Sequence, residues 1–392
     1  MTHSDRNITH QSSPSSRPEQ QITLRGPAEL ADALPYLLGY HPDDSIVVVA
    51  VHGDRGRFGG RIRLGIPSVP EEWPGTARQV ADCLLAGSEA RGPRPSGAVL
   101  YVCQDPSEEE EPAAVMARLR PLVQELRTAC GALDMPVYEA LCISGGRFWS
   151  YCCPDARCCP PEGVVLAPSG SSAMAAAAAY AGIQVRGSLK ELAARFTPPD
   201  AEPAGVQERA LDAAAAALLP RMLDGSAQEG VRVETLELAA CVLDRFSISA
   251  GPARLTAAEA DTRDDGRICP QEAASLVVGL QDRVTRDRAA EWMEGADAEA
   301  ALRLWRVLSR RCVGAYAEYA AAPLTLAGWV AWSLGDETNA RVALGAALEA
   351  DPECVFARLL HSACNNGLDP EPLRATLRGQ RSARGGVREG GG

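Results

Sequence analysis

Eight consecutive residues, Ser45-Ile-Val-Val-Val-Ala-Val-His52, constrain the fold more than any other stretch of the chain. A strand alternates its side chains between two faces, and here both faces are apolar, which predicts an interior strand of a sheet covered on both sides. The residues around it alternate between strand and helix patterns. Ile22–Leu24 reads as a short strand, and Pro27–Gly39 as a helix with proline in its first turn and a glycine stop. Arg57–Ile66 alternates charged and apolar residues, as the half-exposed second strand of a hairpin does. There follow a helix over Thr76–Ser88, a strand over Ala98–Cys103 and a long helix from Pro112 to Cys130. Ser107, three residues before Glu110, resembles a capping box for that helix. Strands Val137–Ser144 and Arg147–Tyr151 turn at Gly145-Gly146, and helices at Ser172–Gly182 and Ser188–Phe196 close the segment.

Pro198, Pro199 and Pro203 mark a linker, beyond which the pattern is helical throughout. Helices are expected at Gly205–Leu223, Val231–Phe246, Gln271–Leu280, Arg283–Glu294, Ala298–Val313, Pro323–Leu334, Glu337–Ala350, Val355–Asn365 and Glu371–Leu377. The fold class expected is therefore a mixed-sheet α/β domain over 22–197 followed by an all-α domain over 205–378. Residues 1–21 and 379–392 are too poor in apolar groups to fold and are expected as disordered tails. Within 324–352, Gly328, Gly335-Asp336, Ala340, Leu344, Ala347 and Pro352 fit a tetratricopeptide hairpin; no second copy lies 34 residues away, so the pattern implies one hairpin and no solenoid.

Charge excludes one class of partner. Residues 1–200 hold 18 basic and 23 acidic side chains and 201–392 hold 21 and 28, so both halves are acidic and neither suits a polyanion. All but one of the 39 basic residues are arginine, a preference read as coding bias because the arginines form no stripe along the sequence. The N-terminus lacks the apolar core of a signal peptide, and the alanine tracts are too short to span a bilayer. The expectation is a cytoplasmic protein that binds neither nucleic acid nor membrane, its 13 cysteines mostly reduced.

Four of those cysteines, Cys152, Cys153, Cys158 and Cys159, fall within eight residues. A structural zinc site takes four ligands in a tetrahedron, often thiolates from tight turns, and Cys153-x4-Cys158 is at the wide edge of that spacing. Zinc binding, a disulfide and simple packing all remain open for this loop. A thiol nucleophile is a further reading, with Arg157 and Arg147 as the cationic neighbours that would activate it. Arg147, Trp149 and Glu162 flank the cysteines and are candidates to line a pocket. His41, Asp43 and Asp44, between the first helix and the apolar strand, are the others; they read either as acid/base groups or as ordinary turn chemistry. Asp261–Glu272 has the register of a calcium loop, but Arg263 places a cation where a ligand oxygen belongs.

Several runs taken together carry a resemblance. Pro35-Tyr-Leu-Leu-Gly-Tyr-His-Pro-Asp-Asp-Ser-Ile-Val-Val-Val49, Arg147-Phe-Trp-Ser-Tyr151, Cys158-Cys-Pro-Pro-Glu-Gly163, Leu280-Gln-Asp282, Arg286-Asp287 and Ala322–Trp332 resemble the actinobacterial "domain of unknown function 4192" family over roughly residues 22–378. The resemblance implies a bacterial, cytosolic protein. It places family cysteines at Cys153, Cys158 and Cys159 and a leucine-like residue at Cys152, which favours three thiols over four. It brings no activity with it. Two functions follow as expectations: a non-catalytic interaction or regulatory protein that presents its helical domain to a protein partner, or a metal- or thiol-dependent enzyme centred on Cys153, Cys158 and Cys159, with zinc as the cofactor to test.

Overall fold

The computed structural model describes residues 24, 26–53, 56–168, 170–198, 204–247 and 255–389. The chain divides into two compact units: the described residues up to Leu37 with Asp44–Gln184, and Leu38–Asp43 with the described residues from Val185 onward. The mixed α/β and helical classes expected from the sequence are both present.

In the first unit, α1 (Pro27–Leu38) precedes strands β1 (Ser45–His52) and β2 (Arg57–Gly65). Then come α2 (Trp73–Glu89), β3 (Gly97–Cys103), α3 (Pro112–Ala132), β4 (Val137–Ser144), β5 (Arg147–Ser150), β6 (Val164–Val165) and α4 (Ala173–Tyr180). The sheet order is β2-β1-β3-β4-β5-β6, with β3 and β4 parallel and the remaining neighbours antiparallel. The apolar run Ser45–His52 is thus interior, with Val48 between Ile62 on one side and Leu100 on the other.

The period of two decides what each face meets. Ile46, Val48, Ala50, Leu100, Val102, Ala140, Cys142 and Trp149 share one face and form a core with Ala77, Val80 and Leu84 of α2 and Leu119, Leu122 and Leu126 of α3. Both helices are crossovers between strands that run in the same direction, β2 to β3 and β3 to β4, and crossovers of this kind cover a sheet face. Val47, Val49, Val99, Tyr101 and Leu141 point the other way and are equally buried; there the Tyr101 hydroxyl donates to the Leu30 carbonyl of α1 at 3.1 Å.

Several expectations need correction. The Ile22–Leu24 strand and the 1–21 tail lie outside the described residues except for Leu24, which is in no strand. The capping box at Ser107 is absent. Residues 107–110 form a turn instead, closed by the Glu110 N–H donating to the Ser107 carbonyl, and Glu111 caps α3 without a side-chain bond. The reason is a competing partner: Arg118 holds both Glu110 oxygens at 3.0 Å and lowers that carboxyl below its ordinary range. Strand β6 was not foreseen, because two valines are too short to show a period.

The second unit contains α5 (Leu189–Ala194), α6 (Ala204–Leu223), α7 (Gln228–Ser247), α8 (Ala257–Asp265), α9 (Pro270–Gly279), α10 (Arg283–Ala289) and α11 (Ala296–Arg310), then a 3₁₀ segment Gly314–Ala320. It ends with α12 (Ala321–Ser333), α13 (Glu337–Ala350), α14 (Val355–Asn365) and α15 (Glu371–Glu389). The division at Gln184 places α5 in this unit, ahead of the proline linker read from the sequence. Helix α12 turns at Gly335 (φ 79°) into α13, capped by Asp336. Gly328 lets the pair approach, since a Cβ there would sit 2.5 Å from Leu344 Cγ. Trp305 and Trp329 are fully buried in the core of this unit.

Two segments differ from the sequence reading. The calcium-like register is helix α8 at its start, with Asp261, Asp264 and Asp265 all paired to arginines. Residues 379–389, expected as a disordered tail, continue α15. Ion pairs hold this helix: Arg374 and Arg378 to Glu294, Arg381 to Asp297 and Arg384 to Glu291.

Two of the acidic groups in this unit imply an acid response. Arg378 holds Glu294, and Arg245 holds Glu272, each carboxyl lowered from 4.5 to about 2. A depressed carboxylate contributes stability that is complete above its unfolded value and is lost as pH falls through its folded value. Stability of this unit is therefore expected to fall between pH 4.5 and about 2, moderately because the arginines are part-exposed. Urea melts of a Glu272→Gln, Glu294→Gln double variant should show a shallower pH slope in that window; an unchanged slope would remove these pairs from the account.

Candidate metal centre

The cysteine loop leaves β5 and returns as β6, and side chains of β5 fasten its ends. The Ser150 hydroxyl accepts the N–H groups of Cys152 and Cys153 at 3.1 and 2.9 Å and donates to Glu139 at 2.7 Å. The Asp155 carbonyl accepts the N–H groups of Cys158 and Cys159, turning the chain back on itself. The Asp155 carboxylate takes the Arg157 backbone and guanidinium, which keeps its pKa below the ordinary range. At the return, Trp149 Nε1 donates to the Pro161 carbonyl at 2.9 Å, and Arg147 donates to the carbonyls of Glu162 and Gly163. Gly163 is at φ 77°, and the Trp149 ring occupies the space a Cβ would need there.

This folding brings Cys153, Cys158 and Cys159 together, their Sγ atoms all within 4.8 Å of one another. Thiolates around one zinc lie about 3.8 Å apart, from Zn–S bonds of about 2.3 Å in a tetrahedron, so the three need to close by at most about 1 Å. No fourth histidine, cysteine, aspartate or glutamate among the described residues joins the group. Cys152 lies apart, its side chain packed against the core between the sheet and α2 and α3. That is the place of the leucine-like residue the resemblance put there.

At Cys159 the electrostatics do not suit a free nucleophile. Burial and the neighbouring Cys153 and Cys158 thiols push the Cys159 thiol up to about 12. A reactive cysteine needs the opposite shift, and a bound cation would supply it. Arg157, the proposed activator, is already committed to Asp155.

Cys158 also forms part of the wall of a cavity of about 290 Å³, with Gly26, Pro27, Ala28, Glu29, Phe148 and Val164. Of the residues expected to line a pocket, Arg147 and the buried Trp149 fasten the loop, and the Glu162 backbone carbonyl accepts from Arg147. Asp44 sits at φ 41° and accepts from Gln104 at 3.0 Å, a scaffold role at the entry to β1. His41 pairs through its backbone with Gly187 and Leu189, and Asp43 accepts the Lys190 N–H at 2.8 Å, both within the second unit. The cavity wall escaped the sequence reading because the start of α1 is about 130 residues from Cys158, and nothing local in Gly26–Glu29 announces it.

The geometry can be set beside known proteins. Residues 27–371 match the model of the family described as Domain of unknown function (DUF4192). The chain belongs to this family. The DUF4192 match spans both units, from the start of α1 to the first residue of α15, and includes the cysteine loop. The family's description states no activity. The searches of curated proteins and of solved structures each found no match. Among the described residues, no helix is long and apolar enough to cross a membrane.

Proposed function

We propose that this DUF4192 protein is a non-catalytic interaction or regulatory protein of the actinobacterial cytosol, and that Cys153, Cys158 and Cys159 hold one structural zinc ion in its sheet unit. The convergence of the three thiols within 4.8 Å carries the zinc reading. A sulfur cluster on a loop whose ends are fastened by Ser150, Trp149 and Arg147 is pre-organised for a metal. The fourth ligand would be water or a group from the Cys158-lined cavity. The α12–α13 hairpin is proposed as tetratricopeptide-like from its glycine contact at Leu344 and its turn at Gly335. A protein partner is proposed for the helical unit, where Val355 and Leu359, four residues apart on α14, present one exposed apolar face.

Elemental analysis of protein purified under reducing conditions tests the zinc site. One zinc per chain is expected, lost in Cys153→Ser and in Cys158→Ser. Metal-free protein in which all 13 thiols titrate would sink the reading.

A further inference from the structure

Helix α11 carries Arg303, Arg306 and Arg310 at helical spacing, on one side of the helix and inside the second unit. Two of them have counter-charges on α8. Arg303 takes Asp264 with Nε at 2.8 Å and donates to the Phe246 carbonyl at 2.7 Å. Arg310 takes Asp265 at 2.7 Å and donates to the Asp261 carbonyl. The remaining carboxylate, Asp261, is held by both nitrogens of Arg195 at 2.8 and 2.9 Å. All three aspartates are therefore engaged.

Arg306 has no such partner. It is 6% exposed, its Nε is buried without a hydrogen bond, and among the described residues its guanidinium makes no ion pair. Its guanidinium lies over the Phe196 ring, with Cζ 5.6 Å from the centroid, and Asp261 and Asp264 attract it without forming an ion pair or hydrogen bond with it. A cation over a ring contributes about 0.5–2 kcal/mol, whereas burying an ion without a partner costs several kcal/mol. The ring alone does not offset that cost. Burial, and after it the charges of Arg195 and Arg310, lower its pKa to about 9 against the opposing pull of Asp261 and Asp264, which still leaves it charged at neutral pH.

We propose that Arg306 anchors an oxyanion-binding site in the helical unit, taking a phosphate or carboxylate group as its counter-charge, with Phe196 as the apolar wall. A guanidinium suits either group, because its planar fork donates in parallel to two oxygens.

Titration calorimetry on the full chain, with inorganic phosphate and with acetate as separate probes against chloride at equal ionic strength, tests the site. Saturable binding of one probe or both, with a rise in the thermal midpoint, is the expected result; which probe binds identifies the group. Arg306→Gln should weaken that binding about tenfold or more, as loss of a charge-assisted pair does. Arg306→Met should abolish it while leaving the midpoint in chloride equal to or above that of the parent, since an apolar side chain removes an unpaired buried charge. Binding of neither probe to the parent chain overturns the proposal even if both variants fail to fold. So does a variant that keeps the parent's response.

Discussion

Replacing Trp329 with alanine is expected to cost the helical unit about 4 kcal/mol, the usual range for emptying a fully buried tryptophan site. Trp329 is completely inaccessible, packs edge-to-face on Trp332 at 5.9 Å, and donates its indole N–H to the Ala290 carbonyl at 2.9 Å. Truncation opens a void in the core shared by α11, α12 and α13 and leaves that carbonyl without its donor. The loss is comparable to the whole stability of many domains, which is about 5–15 kcal/mol. Leu359→Ala is the control: at 63% exposure it should change stability by no more than about 0.5 kcal/mol. Urea unfolding followed by circular dichroism compares the two, and equal midpoints would show that Trp329 is not a keystone of this core.

Gly163→Val should be the most damaging single change at the cysteine loop. Gly163 is at φ 77°, in the left-handed region, and a Cβ there would lie 2.4 Å from Trp149 Cε2. The backbone strain alone costs about 1–3 kcal/mol. The clash adds to it by displacing Trp149, which loses its bond to Pro161 and loosens the return of the loop. Gly146→Val separates the two contributions, because Gly146 is at φ 70° with open space where its Cβ would go. The Gly163 variant is expected to lose about 2 kcal/mol more than the Gly146 variant in denaturant melts, given that overpacking typically costs 1–3 kcal/mol. It should also lose zinc stoichiometry, while Gly146→Val keeps it. Equal effects of the two would mean that the ring contact does not hold the loop.

Much of the fold was legible because its causes are local. The apolar run at Ser45–His52 can only be stable when covered on both faces, and that is how it is placed. Gly145 and Gly146, at φ 54° and 70°, make the turn that their lack of side chains permits. The three-thiol grouping was half legible. Cys158-Cys159 and the turn at Asp155 are neighbours in sequence, but that Cys153 joins them while Cys152 turns into the core depends on Ser150 holding both backbone N–H groups.

What only the tertiary structure decided has a common physical form: one charged group choosing between local and distant partners. Glu110 abandons the cap of α3 for Arg118. The glycine-containing tail after Leu377 is poor in apolar residues, yet it stays helical because Arg378, Arg381 and Arg384 reach acidic residues more than eighty positions earlier. The arginines of α11 look like ordinary helix residues until the three aspartates of α8 are seen to satisfy Arg303 and Arg310 and to leave Arg306 unpaired. Hydrophobic period and turn chemistry are written residue by residue, so the sequence determined strands β1 to β5 and most of the helical series, while the resemblance singled out three of the four thiols. The partner of a charge is set by which distant side chain arrives within about 3 Å, and that only the folded chain decides.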